Sequence, residues 1–173
     1  MARVVFYGAI SLDGYLADQD HSLEWLTTNP GDNSDDYERF YQSLDYTMMG
    51  RKTYQGAQAE MGKVNFYPDT ENFVFSHQRL DLIDGFELIS GDPVRFVQNL
   101  PADKTIWVVG GAGLVKELLA AELIDEWWIQ IVPILLGSGI PLFLTQERKQ
   151  QFTLVETRQF GQFAELHLKK KSE

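Results

Sequence analysis

The chain has no cysteine. That excludes a disulfide framework, a zinc ribbon and a cysteine nucleophile, leaves the core to hold the fold unaided, and suits a reducing cytoplasm, the compartment expected here. Long apolar runs are missing too. No stretch reaches the roughly 18 residues that a membrane-spanning helix needs, and Arg3 passes straight into a strand-like segment instead of a basic, apolar, small-residue leader. Neither membrane insertion nor secretion is expected. Basic residues are scarce: 15 Lys and Arg against 25 Asp and Glu give a net charge of −10. Non-specific affinity for nucleic acid comes mainly from cations that neutralise phosphates, so nucleic acid is not an expected partner. The one basic cluster, Lys169-Lys170-Lys171, lies at the C-terminal end, where a solvated tail accounts for it. The histidines His21, His77 and His167 are far apart, no pair has metal-ligand spacing, and no metal site is expected.

What is present is apolar and aromatic. A hydrophobic content of 44% and an aromatic content of 13% over 173 residues can fill one core, and a single domain over residues 1–173 is expected. Val4 to Ile10 is β-branched, aromatic and almost without polar residues, which predicts a strand buried on both faces near the middle of a sheet. From Ser11 to Asn33 turn formers predict a long surface loop. Asp35 and Glu38 have capping-box spacing, predicting a short helix to Gln42 that turns Tyr37, Phe40 and Tyr41 inward. Further strands are predicted at Tyr46–Met49, Asn72–Ser76, Phe86–Ile89, Thr105–Val109 and Glu126–Val132. Asp92-Pro93 marks a capped helix start, and Leu114, Val115, Leu118 and Leu119 form a helical stripe. Residues 136–141 read as a loop. Phe152–Phe160 and Phe163–Lys169 flank Gly161-Gln162, a glycine-first pair suited to a type II′ hairpin. The expected architecture is α/β, with a mixed, mostly parallel sheet between helices and a C-terminal antiparallel hairpin.

Two glycine-led helix starts could carry chemistry. In Val108-Val109-Gly110-Gly111-Ala112-Gly113, glycines between a buried strand and a helix let phosphate oxygens approach backbone amides. The same turn serves equally as a tight strand-to-helix connection. Gly50-Arg51-Lys52-Thr53 adds two cations and a hydroxyl at a second helix start, and two such places suit a dinucleotide. Ser76-His77-Gln78-Arg79 ends a strand with groups able to recognise a further phosphate. Candidate acids are Asp13, Glu24, Asp35 and Asp36, near Tyr15 and Trp25. Asp35 reads equally as a helix cap, whereas Asp36 matters if the helix turns it to a pocket.

In order and spacing, Met49 to Tyr54, Phe73 to Ser76 and Val108 to Gly113 resemble the cofactor-binding segments of dihydrofolate reductase. Ser11-Leu12-Asp13-Gly14-Tyr15-Leu16-Ala17, Leu123 to Glu126 and Pro133 to Phe143 resemble the reductase domain of the bifunctional riboflavin-biosynthesis deaminase/reductase. The resemblance implies a dihydrofolate-reductase-like three-layer fold, a homodimer and NADPH as cofactor. By that likeness Gly50, Arg51, Lys52 and Thr53 hold phosphates, Ser76 and His77 lie at the adenosine ribose phosphate, and Gly110, Gly111, Ala112, Gly113 and Leu114 carry the pyrophosphate and nicotinamide side. The catalytic acid falls at Asp36, or at Asp35 if the register slips by one, and Ser11, Asp13 and Trp25 are the expected substrate contacts.

The departures are Tyr7, where riboflavin-pathway reductases commonly carry a lysine, and Val109, where they commonly carry a glutamate. The arginine that clamps the folate carboxylate is missing between Gly56 and Asn72. The expected activity is that of an NADPH-dependent reductase like 5-amino-6-(5-phosphoribosylamino)uracil reductase, acting on a small pyrimidine- or pteridine-like heterocycle. The alternatives are a dihydrofolate or pterin reductase and, in another class, a non-catalytic NADP-binding module.

Overall fold

Val4, Val5 and Phe6 are completely buried in β1 (Arg3–Ser11), the strand on which the sheet is built. The computed structural model describes residues 1–28 and 34–171. Strand β1 pairs in parallel with β6 (Thr105–Gly110) on one side and β7 (Glu126–Val132) on the other. Outward from β6 follow β3 (Tyr46–Gly50), β4 (Glu71–Phe75) and β5 (Phe86–Ile89), all parallel. Outward from β7 the direction reverses with β10 (Phe163–Lys170) and then β9 (Phe152–Phe160), the two arms of a hairpin. The sheet order is β5-β4-β3-β6-β1-β7-β10-β9, and the sheet is mixed and mostly parallel with a terminal antiparallel hairpin, as expected. Gly161 has φ 54°, the left-handed value that a type II′ turn demands of its first residue.

Period-two alternation sends side chains to two different cores. Val4, Phe6 and Ile10 join Ile106, Val108, Trp127 and Ile129 beneath helices α4 (Pro93–Gln98) and α5 (Ala112–Ala120). Tyr7, Trp107, Met49 and Val74 face the other way, under α2 (Ser34–Gln42) and α3 (Arg51–Met61). Tyr37, Phe40 and Tyr41 of α2 do turn inward there, with Phe40 stacked 4.4 Å from Tyr7. Helix, sheet and helix make three layers.

The Asp92 carboxylate accepts from the Val94 amide at 2.8 Å and the Arg95 amide at 3.4 Å, with Pro93 at the first helical position. Asp92→Ala should lower stability by about 1 kcal/mol, the usual worth of an N-cap, in a urea titration with unchanged slope.

Two segments read as loop contain structure. Residues 11–28 hold β2 (Tyr15–Ala17) and the one-turn helix α1 (Glu24–Thr27). Residues 136–141 hold β8 (Ile140–Pro141), which pairs antiparallel with β2. Elements of two to four residues are too short for a hydrophobic period to register, and their cause is tertiary. A Cβ at Gly139 would overlap the Ala17 carbonyl oxygen, so glycine permits this close approach. Asp35 lies in the first turn of α2 and is not its cap, since the helix already begins at Ser34. Residues 29–33, the end of the predicted loop, fall outside the described residues.

Candidate active site

Parallel strands β4, β3 and β6 are neighbours, so the residues that follow them emerge side by side at one edge of the sheet. This brings together the three segments singled out for the cofactor. Met49 pairs with Gly110, and Val109 bulges out of the ladder between that pair and Met48–Val108. Gly50 therefore lies against Gly110-Gly111: a Cβ on Gly50 would stand 3.6 Å from the Gly111 nitrogen. Thr53, one turn into α3, places its Oγ1 3.3 Å from where a Cβ of Gly111 would be. The Gly110–Gly111 peptide is cis, and Gly110 has φ 137°, which L side chains rarely adopt.

Both helices that start here have glycine at the N-cap, Gly50 for α3 and Gly111 for α5, so no side chain caps their first-turn amides. Two sets of N–H groups and two positive dipole ends converge on one place. Lys52 is exposed beside it and reaches back to His21 of the first loop, Nζ to Nε2 3.3 Å. On the far side, at the end of β4, the Ser76 hydroxyl accepts from the Gln78 amide and donates to its carbonyl, closing a turn that leaves His77 exposed. Ala112 and Leu114 are buried under α5, whereas Gly113 is exposed.

The interior of β1 is buried until Gly8 and Ala9, which are partly accessible where the ladder with β6 has ended at Phe6 and only β7 still pairs with them. Beside Ala9, Trp25 of α1 packs on Val132 and Phe163, with Phe160 alongside. Ser11 and Asp13 hold the neighbouring loops in shape. The Ser11 hydroxyl, 0% exposed, accepts from the Tyr15 amide and donates to Asp13, whose carboxylate also accepts from the Leu136 and Gly137 amides at 3.1 and 2.8 Å. The Ser11 hydrogen bond first, then those two amides, hold the Asp13 carboxyl below its usual range.

Asp36 lies on α2 and is engaged from two sides, by Arg39 at 3.0 Å and by Arg158 of β9 at 3.2 Å. Sequence reasoning missed the groups around it. Gln130 of β7 and Glu165 of β10 are buried and hydrogen-bonded to each other, and Tyr7 joins them from β1. Burial pushes the Tyr7 phenol well above its usual range and raises the Glu165 carboxyl as well. A signal existed in the polar residues on one face of two apolar strands, Glu126 and Gln130 on either side of Trp128, against Glu165 and His167. That they meet depends on strand register, which one sequence does not fix.

Fold and edge geometry together define a dihydrofolate-reductase-like domain, and the structure of Enterococcus faecalis dihydrofolate reductase complexed with NADP(H) superposes with a TM-score of 0.64, at 14% identity over 98% of this chain and 97% of that one. The family is narrower. The family model of the RibD C-terminal domain matches residues 2–165, and the chain belongs to that family. Its relatives include the uncharacterized protein YwjB of Bacillus subtilis, 36% identical over 95% of this chain and 96% of that one. The crystal structure of a putative riboflavin biosynthesis protein from Shewanella sp. PV-4 is similar with a TM-score of 0.84 and 28% identity, covering 99% of this chain and all of the other.

Proposed function

We propose that this protein is an NADPH-dependent reductase that acts on a pyrimidine- or pteridine-like heterocycle, in the manner of 5-amino-6-(5-phosphoribosylamino)uracil reductase. One observation carries it: the two glycine-capped helix starts, Gly50 and Gly110-Gly111, abut at the carboxyl ends of adjacent parallel strands, the place where open α/β sheets bind nucleotides. The backbone fits a pyrophosphate, since any Cβ at Gly111 would crowd Thr53. Amides of α3 and α5 with Thr53 would hold the pyrophosphate, and Arg51, Lys52, Ser76 and His77 would surround the ribose phosphate. Bound there, NADPH supplies the hydride for an electron-poor C=N or C=O bond. Gly8 and Ala9 leave room for two rings to meet over the centre of the sheet, and Trp25 with the loops tied by Ser11 and Asp13 keeps water from them. The absence of an arginine between Gly56 and Asn72, where dihydrofolate reductases carry one for the folate carboxylate, favours a substrate other than folate. The proposal includes a cytoplasmic homodimer, supported by the absence of cysteine and by Leu154 and Val155, exposed on the edge strand β9.

Titration of the purified protein with NADPH and NADH, followed by nicotinamide fluorescence and thermal stabilisation, tests the reading. Saturable binding that prefers NADPH is the expected result, and binding of neither overturns it. Arg51→Ala should weaken NADPH by about ten- to a hundredfold, the worth of a charge-assisted hydrogen bond, and NADH far less. Equal losses would remove Arg51 from the phosphate site.

A further inference from the structure

A single row of side chains crosses four strands on the α2 side of the sheet. Ala9 of β1 is opposite Gln130 of β7, Gln130 is opposite Glu165 of β10, and Glu165 is opposite Arg158 of β9. Gln130 and Glu165 are only 3% and 2% exposed. Gln130 Nε2 donates to Glu165 Oε2, and the Gln130 side chain shares a second hydrogen bond with the Tyr7 phenol. Sealing a carboxyl and a carboxamide into a sheet costs free energy that two aliphatic side chains would not, and the antiparallel backbone ladder of β7 and β10 already pairs these strands. The other end of the row is open. Ala9 has the smallest side chain in the row and is partly accessible, with Trp25 packed near it. Because Ala9 is opposite Gln130, a flat ring over Ala9 would lie beside the Gln130 carboxamide.

We propose that Gln130 recognises the lactam edge of the substrate heterocycle, and that Glu165 is the positioning residue that fixes which way the Gln130 carboxamide faces. The proposal rests on the reductase reading only for where the substrate lies. A carboxamide has two N–H donors and two acceptor lone pairs. Glu165 takes one donor and Tyr7 takes one further position. The second N–H is donated to the Tyr7 phenol, since this bond lowers the proton affinity of Tyr7, so the carbonyl lone pairs are left to accept from the N–H of a lactam such as that of uracil or a pterin. Ionised Glu165 can only accept, so it holds the nitrogen end of the carboxamide toward itself. Protonated Glu165 donates, draws the carbonyl end round, and reverses the edge presented to the ligand.

Burial raises the proton affinity of Glu165, and the Gln130 hydrogen bond and Arg158 offset this in part. The ionisable groups that face it are Arg158 and Glu156 on β9, Asp36 on α2 and Tyr7 on β1, with His167 two residues along β10. Asp36 is the competing candidate for the ligand edge. Its carboxylate is turned to Arg39 and Arg158 instead.

Uracil and pterin are the probes, titrated calorimetrically into the full chain with and without NADPH at a series of pH values from the ordinary glutamate range upward, the direction in which burial moves the Glu165 carboxyl. Wild-type affinity should rise with pH as Glu165 ionises. Glu165→Gln keeps shape and polarity and should abolish that pH dependence. Gln130→Leu should weaken both probes by about tenfold or more, and Asp36→Asn, at a partly exposed ion pair, by no more than about threefold. A wild-type pH profile in Glu165→Gln, a larger loss in Asp36→Asn than in Gln130→Leu, or no binding of either probe to wild type would each overturn the proposal. NADPH affinity measured in the same samples keeps the two readings apart: its absence with probe binding intact sinks the reductase and leaves Gln130 and Glu165 standing.

Discussion

Gly111→Val is expected to abolish NADPH binding in a protein that still folds. The site of the missing side chain is walled by Thr53, whose Oγ1 would be 3.3 Å from the new Cβ, a separation tighter than ordinary contact before the two γ-methyls are added. Those methyls have to project into the space where α3 and α5 begin, and a pyrophosphate needs that space to reach the backbone amides. Gly111 has φ −91°, so a side chain adds no left-handed strain and the strand-to-helix turn can form. Thermal unfolding and NADPH fluorescence on one preparation separate the two effects. The expected outcome is a Tm within a few degrees of wild type and affinity at least about a hundredfold weaker, equivalent to roughly 2.7 kcal/mol. Unchanged affinity in a folded variant would return the turn to a purely connective role.

The second large effect belongs to the core. Trp127→Ala should cost about 3–5 kcal/mol, the usual range for truncating a buried aromatic, against a total stability of about 5–15 kcal/mol for a domain. Trp127 is 1% exposed and packs on Phe6 at 5.3 Å, Phe143 at 5.3 Å and Phe152 at 5.8 Å, so one indole joins the central strand to the first residue of β9. Denaturant unfolding should show a much lower midpoint, and Trp127→Phe, which keeps a ring there, should recover most of it. Trp128 points to the opposite face and stacks on His167 at 3.7 Å while remaining partly exposed. A loss at Trp127 no larger than the loss at Trp128→Ala would contradict this division of the strand.

Much of this was legible in the residues because the signals are local. Runs of β-branched and aromatic residues mark strands, so β1 and β7 were located within a residue at each end, as was the short apolar edge strand β5, and Asp92-Pro93 announced a helix start that the structure shows capped. Glycines at strand-to-helix junctions marked α3 and α5, and their convergence follows once the parallel order places β3 beside β6. What was not legible depends on partners distant in sequence. The strands β2 and β8 exist because each supplies the other's hydrogen bonds across more than a hundred residues. Asp13 read as a candidate acid, and its real neighbours, the Leu136 and Gly137 amides, are just as remote. Gln130 and Glu165 were passed over because a lone polar residue in a strand looks like a solvent-facing one until its register is known.

The central place of β1 also constrains how the chain acquires its shape. Its parallel neighbours begin at Thr105 and Glu126, about a hundred residues and more after Arg3, so neither ladder can close until most of the polypeptide has been made. Contacts of such long range make folding slow, because loop closure precedes any gain from pairing. During synthesis Val4 to Ile10 must wait as an unpaired apolar segment, and the acidic remainder of the chain, at net charge −10, is what keeps it apart from other copies in the meantime.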